Sequence, residues 1–112
     1  MEATDIIDRI RTTISNGGIV PPGEWLEMAF DLNALIGNEN DKYAELYRIA
    51  HRGIVERIKE GKSVAESEAW MKGSIEYADL LKQKGFVEQI MEFIRIAKIR
   101  GSQADKEFNL DA

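Results

Sequence analysis

Residues 77–100 read YADLLKQKGFVEQIMEFIRIAKIR, and this stretch decides the fold class. Leu80, Phe86, Ile90, Phe93, Ile94 and Ala97 recur at three- and four-residue steps, the spacing of one buried stripe on an α-helix. Ile96 and Ile99 lie off that stripe, so the last three turns are apolar over more than half of their circumference. A surface helix needs one apolar face; this one has a second to spare. Lys84, Arg95 and Lys98 share another side, with Lys82 and Arg100 near it. One segment thus combines a packing face, an uncommitted apolar face and a basic edge.

The preceding residues also read as helices. Gly73-Ser74 interrupts the pattern, and before it Ser63-Val64-Ala65-Glu66 reads as a capping box opening a short helix to about Lys72. Gly61 is placed to end a longer helix. That helix runs from the turn Asn38-Glu39-Asn40-Asp41 to Glu60, with Tyr43, Leu46, Tyr47, Ala50, Ile54 and Ile58 inward. Arg48, Arg52 and Lys59 lie on its other side, with Glu45 and Glu56 as neighbours. An earlier helix, from Pro22 or Gly23 to Ile36, turns Trp25, Leu26, Ala29, Phe30, Leu32, Asn33 and Ile36 inward, and Gly37 ends it. The first helix, Asp5 to Ser15, is capped by Thr4 and carries the stripe Ile6, Ile7, Ile10 and Ile14. Asn16-Gly17-Gly18 stops it, and Ile19-Val20-Pro21-Pro22 follows as an extended connector.

The expected fold is all-α: four or five helices with a long C-terminal helix, forming one domain over residues 1–112. Within it, 1–37 is an acidic helix pair, 38–101 holds the basic, short and long helices, and 102–112 is a polar tail that frays. Phe108 and Leu110 in that tail are candidates for docking on a neighbour. Gly85 costs its helix about 1 kcal/mol relative to alanine, which suggests a close helix approach or else a ligand-facing gap.

The length of 112 residues allows one modest core. The lack of cysteine removes disulfides, thiol nucleophiles and thiolate metal sites, and fits a reducing cytoplasm. No signal-peptide pattern and no membrane-length apolar run is present, so a cytoplasmic protein without membrane contact is expected. The formal charge of −5 is unevenly spread. Residues 1–41 carry net −6, 42–62 net +3, 63–81 net −3, 82–100 net +3 and 101–112 net −2. Two basic helices in an acidic chain permit a confined anion-binding strip.

Catalytic constellations are scarce. The only histidine, His51, adjoins a polar helix side and reads as exposed, without partners for proton transfer. No ligand cluster suggests a metal, no glycine-rich loop joins a strand to a helix, and no cofactor is called for. Glu27 and Asp31 form a carboxylate pair that reads as a solvated face. A non-enzymatic binding or assembly role is the expectation.

A closing helix of about 26 residues spans about 39 Å, long beside the ~13 Å radius of gyration of a compact domain of this size. Such a helix with spare apolar surface favours a homo-oligomer built through Phe93, Ile94, Ile96 and Ile99. The opposing possibility is that the first two helices cover Ile96 and Ile99 within one subunit. Repetition around an assembly would turn Arg48, Arg52, Arg57, Lys59, Lys84, Arg95 and Lys98 into a track for single-stranded nucleic acid. Tyr43, Tyr47, Trp70 and Tyr77 offer stacking surfaces, although Tyr43 and Tyr47 also fit the core by their spacing.

The second half of the chain resembles small helical proteins of bacteriophage recombination modules, and is similar to the UvsY-type recombination mediators. The resemblance rests on LYRIAHRGIVERIKEGKS, SIEYADLLKQKG and FVEQIMEFIRIAKIRG, and covers roughly residues 43–103. It implies ring assembly through the closing helix around Phe93 and Ile94, and binding of single-stranded DNA. It also implies a RecA-like recombinase as partner, and matches the DNA-contacting segment to Arg57 and Lys59, with Arg52 beside them. Residues 1–41 have no counterpart in that pattern. The expected function is therefore a phage-type accessory protein that binds single-stranded DNA in recombination or replication. The alternative is a protein-interaction module, such as a phage regulator, host-defence inhibitor or assembly factor, acting through its acidic N-terminal helices.

Overall fold

The computed structural model describes the backbone of residues 2–18 and 20–111 and side chains as far as Lys106. Its order is α1 (Ala3–Ser15), α2 (Pro22–Lys59), α3 (Val64–Lys72) and α4 (Ile75–Asp111), with no strand among the described residues. The all-α fold with a long C-terminal helix is as the periodicity requires.

Local chemistry sets most of the helix ends. Ser63 Oγ accepts the Glu66 amide at 3.1 Å and opens α3; this is one half of the expected capping box, and the return bond from the Ser63 amide to the Glu66 side chain is absent among the described residues. Ser74 Oγ accepts the Tyr77 amide at 3.2 Å and starts α4 one residue after Gly73 closes α3. Gly61 adopts φ +93° after α2, where any side chain would strain the backbone. The start of α1 differs from expectation. Its N-cap is Glu2, not Thr4, because Asp5 reaches back and accepts the Glu2 amide at 3.0 Å.

Two expected interruptions are absent. Gly37 and Asn38–Asp41 are helical, so the two central helices of the sequence reading are one helix, α2. A tertiary tie outweighs the weak local breakers: the Gln83 side-chain amide donates to the Glu39 carbonyl at 2.9 Å and to its carboxylate at 2.8 Å. Nor does α4 end at Gly101; the backbone of the supposed frayed tail continues the helix to Asp111, and Ala104 is buried. A Cβ at Gly101 would meet Trp25 Cβ at 3.2 Å, so this glycine admits a close neighbour and does not terminate a helix. Gly85, expected to do that, has nothing within 4 Å. The docking suggested for Phe108 and Leu110 lies outside the described side chains.

The chain folds into two compact units, Met1–Gly37 with Glu88–Ala112, and Asn38–Val87. In the first, Ile6, Ile7 and Ile10 of α1, Trp25, Met28, Ala29 and Leu32 of α2, and Ile90, Ile94 and Ala97 of α4 form the core. The sequence reading had also turned Leu26, Phe30 and Asn33 inward. Leu26 is 53% exposed, Phe30 79%, and Asn33 faces solvent, because one helix side is consumed by the Trp25–Met28–Leu32 stripe. In the second unit Ala50, Met71 and Leu80 are the centre, with Tyr43, Leu46, Ile54 and Tyr77 packed against them.

Candidate nucleic-acid interface

The helices distribute the seven candidate cations between the units. Arg48, Arg52, Arg57, Lys59 and Lys84 belong to the second unit, Arg95 and Lys98 to the first. The second unit holds nine basic and nine acidic residues, so the whole net charge of −5 resides in the first.

Their surroundings differ. Arg48 is spent on its own helix: Nε and Nη2 donate to the Glu45 carboxylate at 3.1 and 2.5 Å. That hydrogen bond holds the Glu45 carboxyl below its usual range and raises the Arg48 guanidinium. Arg95 is paired in the same manner with Glu92, with shifts of the same direction and cause. Arg57 lies under Trp70, its guanidinium carbon 4.7 Å from the ring centroid, and its Nε is buried without a hydrogen-bond partner among the described residues. Arg52 lines a shallow depression with Trp70 and Gly53, but Glu56 and Glu76 line it too. Lys59, Lys84 and Lys98 are exposed and form no ion pair among the described residues.

The residues assigned to an oligomer interface are also divided. Ile94 is buried in the core of the first unit, which takes it out of any external surface. Phe93 is half-buried, with the Arg11 guanidinium 5.2 Å from its centroid. Ile96 is half-buried, whereas Ile99 is 44% exposed and Met91 is exposed as well. The apolar excess of α4 is therefore partly, not wholly, covered by its own unit.

A groove of about 410 Å³ lies between α2, α3 and α4 in the second unit. Tyr43, Tyr47 and His51 line it from α2, Glu68 and Lys72 from α3, and Tyr77 and Lys84 from α4. The Tyr47 and His51 rings stack at 3.9 Å and 20°, and Tyr43 lies 6.4 Å from Tyr47. Tyr47 stays 48% exposed, so its place in the stripe does not make it a core residue. His51 is half-buried and not exposed as expected, and its one hydrogen-bond partner among the described residues is a backbone carbonyl, which cannot relay a proton. Its Nδ1 lies 2.9 Å from the Tyr47 carbonyl oxygen, which only accepts, so Nδ1 carries the proton. The spacing of Tyr43, Tyr47 and His51 at four-residue steps was the signal for this column. Lys72 and Glu68 had none, because the turn at Gly73-Ser74 brings α3 beside Lys84 only in three dimensions.

Among the described residues no helix is long and apolar enough to cross a membrane. Fold and site together define a helical protein with an aromatic, lysine-rimmed groove. No protein-family model, curated protein or solved structure matches the chain.

Proposed function

We propose that the protein binds single-stranded nucleic acid as a non-catalytic accessory protein, through its second unit. The observation that carries this reading is the gathering, in one unit free of net charge, of five candidate cations with Tyr43, Tyr47, Trp70 and Tyr77. Single-strand binding needs cations for the phosphates and exposed rings for the bases, and this unit supplies both. Lys59 and Lys84 are the uncommitted charges, Arg52 works against Glu56 and Glu76, and Arg57 acts by positioning the half-exposed Trp70. The resemblance to phage recombination mediators points to DNA and to a RecA-like recombinase as partner. Assembly of copies through the exposed Ile99 and Met91 would multiply weak contacts.

Fluorescence anisotropy of a labelled oligothymidylate, titrated at rising salt, tests this. Affinity should fall linearly on a log–log plot, with a slope of about −0.7 per phosphate neutralised. Lys59→Glu and Lys84→Glu should each weaken binding and flatten the slope, with helicity by circular dichroism unchanged. Unaltered affinity in both would remove the site. Charge reversal at Arg57 is a poor test, since it would also undo the packing of Trp70.

A second reading is favoured by Leu26 and Phe30. These exposed apolar side chains stand beside Glu27 and Asp31 on the acidic part of α2, a surface suited to a basic protein partner. Under that reading no strand is bound, and Phe30→Ser abolishes capture of the partner.

A further inference from the structure

We infer that the groove beside Tyr47 and His51 is a base-binding subsite, which takes one nucleobase and its phosphate from a single strand. This rests on the nucleic-acid reading above and adds to it where a base, as distinct from a phosphate, is held.

A base is planar, aromatic and rich in N–H groups, and it arrives attached to an anion. The groove answers each property. Tyr43, Tyr47 and His51 form a run of rings along one helix side, with His51 stacked over one face of Tyr47, and about half of Tyr47 stays exposed where a base can pack against the run. Every base has a π-face, so stacking is sequence-tolerant. With Nδ1 of His51 donating to the Tyr47 carbonyl, Nε2 is the ring nitrogen left to hydrogen-bond a base. The Glu68 carboxylate is a second acceptor on the lining. Lys72 and Lys84 outnumber that carboxylate and give the groove a net positive rim for the attached phosphate. The volume of about 410 Å³ falls within the roughly 300–1,000 Å³ of small-molecule pockets. An acidic peptide would use the lysines but leave the ring column without a stacking partner.

The test compares, with the full-length chain, an oligothymidylate and an abasic deoxyribose-phosphate oligomer of equal length at one low salt concentration. The thymidylate should bind roughly tenfold tighter or better, the effect of stacking one base. Tyr47→Leu keeps apolar bulk and should lower that ratio several-fold, by weakening the thymidylate more than the abasic oligomer. In the unsubstituted protein, thymidylate should shift the NMR signals of the Tyr47, His51 and Tyr77 rings. Equal affinities for the two oligomers, or shifts confined to Trp70 and Arg52, would overturn the subsite and leave phosphate-led binding in place. Failure of both oligomers to bind would overturn the subsite and the nucleic-acid reading together.

Discussion

The ring of Trp70 lies directly on Gly53: a Cβ at residue 53 would stand 2.6 Å from Cζ3 of that ring. Gly53 is a helical glycine in the middle of α2, where it costs about 1 kcal/mol relative to alanine. Its absent side chain lets α3 bring the edge of the Trp70 ring close against α2, with the Arg57 guanidinium, one turn further on, at 4.7 Å from the ring. Gly53→Ala should therefore destabilise the protein by about 1–2 kcal/mol, since overpacking at so short a contact costs about 2–3 kcal/mol against about 1 kcal/mol of propensity gained. With Trp70→Ala already in place the same change should stabilise by about 0.5–1 kcal/mol. Urea denaturation of the four species checks the reversal of sign.

Two glycines of α4 should respond in opposite ways. Gly101→Ala forces a methyl group to 3.2 Å from Trp25 Cβ, an atom fixed to the backbone of a fully buried residue. It should cost about 1 kcal/mol net, overpacking of about 2 kcal/mol less about 1 kcal/mol of propensity gained. Gly85→Ala meets nothing within 4 Å and should gain about 0.5–1 kcal/mol. Thermal melts of both variants decide it; an equal gain in both would contradict the close approach at Gly101.

Gln83→Ala removes both hydrogen bonds to Glu39, where α2 passes through Gly37 and two asparagines. Each such bond contributes about 0.5–1.5 kcal/mol, and the loss should concentrate locally. Hydrogen exchange of the amides at 38–43 should accelerate more than that of the amides around Ala50. Uniform acceleration would mean that Gln83 supports global stability and does not hold this turn of helix.

The Glu45–Arg48 and Glu92–Arg95 pairs set a pH dependence of known sign. Both carboxyls are held below the usual range by the arginine hydrogen bond, so the folded state binds the proton less readily than the unfolded chain. Their contribution is present above the ordinary carboxylate range and is lost as pH falls through the folded values. Carbon-detected NMR titration should place both midpoints below that of an unfolded glutamate, and Arg48→Gln should move the Glu45 midpoint upward. An unmoved midpoint would remove the assigned cause. Both pairs are fully exposed, and salt should weaken them.

Much of the helical fold was readable as text. The spacing of the α1 isoleucines, the capping Ser63 and the break at Gly73-Ser74 are all set within four residues along the chain, so neighbouring letters contain them. The candidate site was legible only in its residue types. Glu45 was legible only as a neighbour of Arg48, and Arg95 looked free, because the choice of a glutamate three residues earlier is a rotamer matter. Arg57 looked like any surface cation because Trp70, its partner, belongs to another helix.

Periodicity and capping were enough to establish an all-α chain with a long closing helix, since helix formation is driven by local spacing and local hydrogen bonds. They left open which glycines break a helix and which let another element in. That choice turns on what stands opposite: Trp25 at Gly101, Trp70 at Gly53, open space at Gly85. It also turns on Gln83, 44 residues away from the Glu39 it supports. The joining of two expected helices into α2, and the meeting of Tyr47, His51, Lys72 and Lys84 in one groove, came from packing between distant segments. Neighbouring residues cannot encode such contacts, because their strength depends on distances that exist only once the helices have packed.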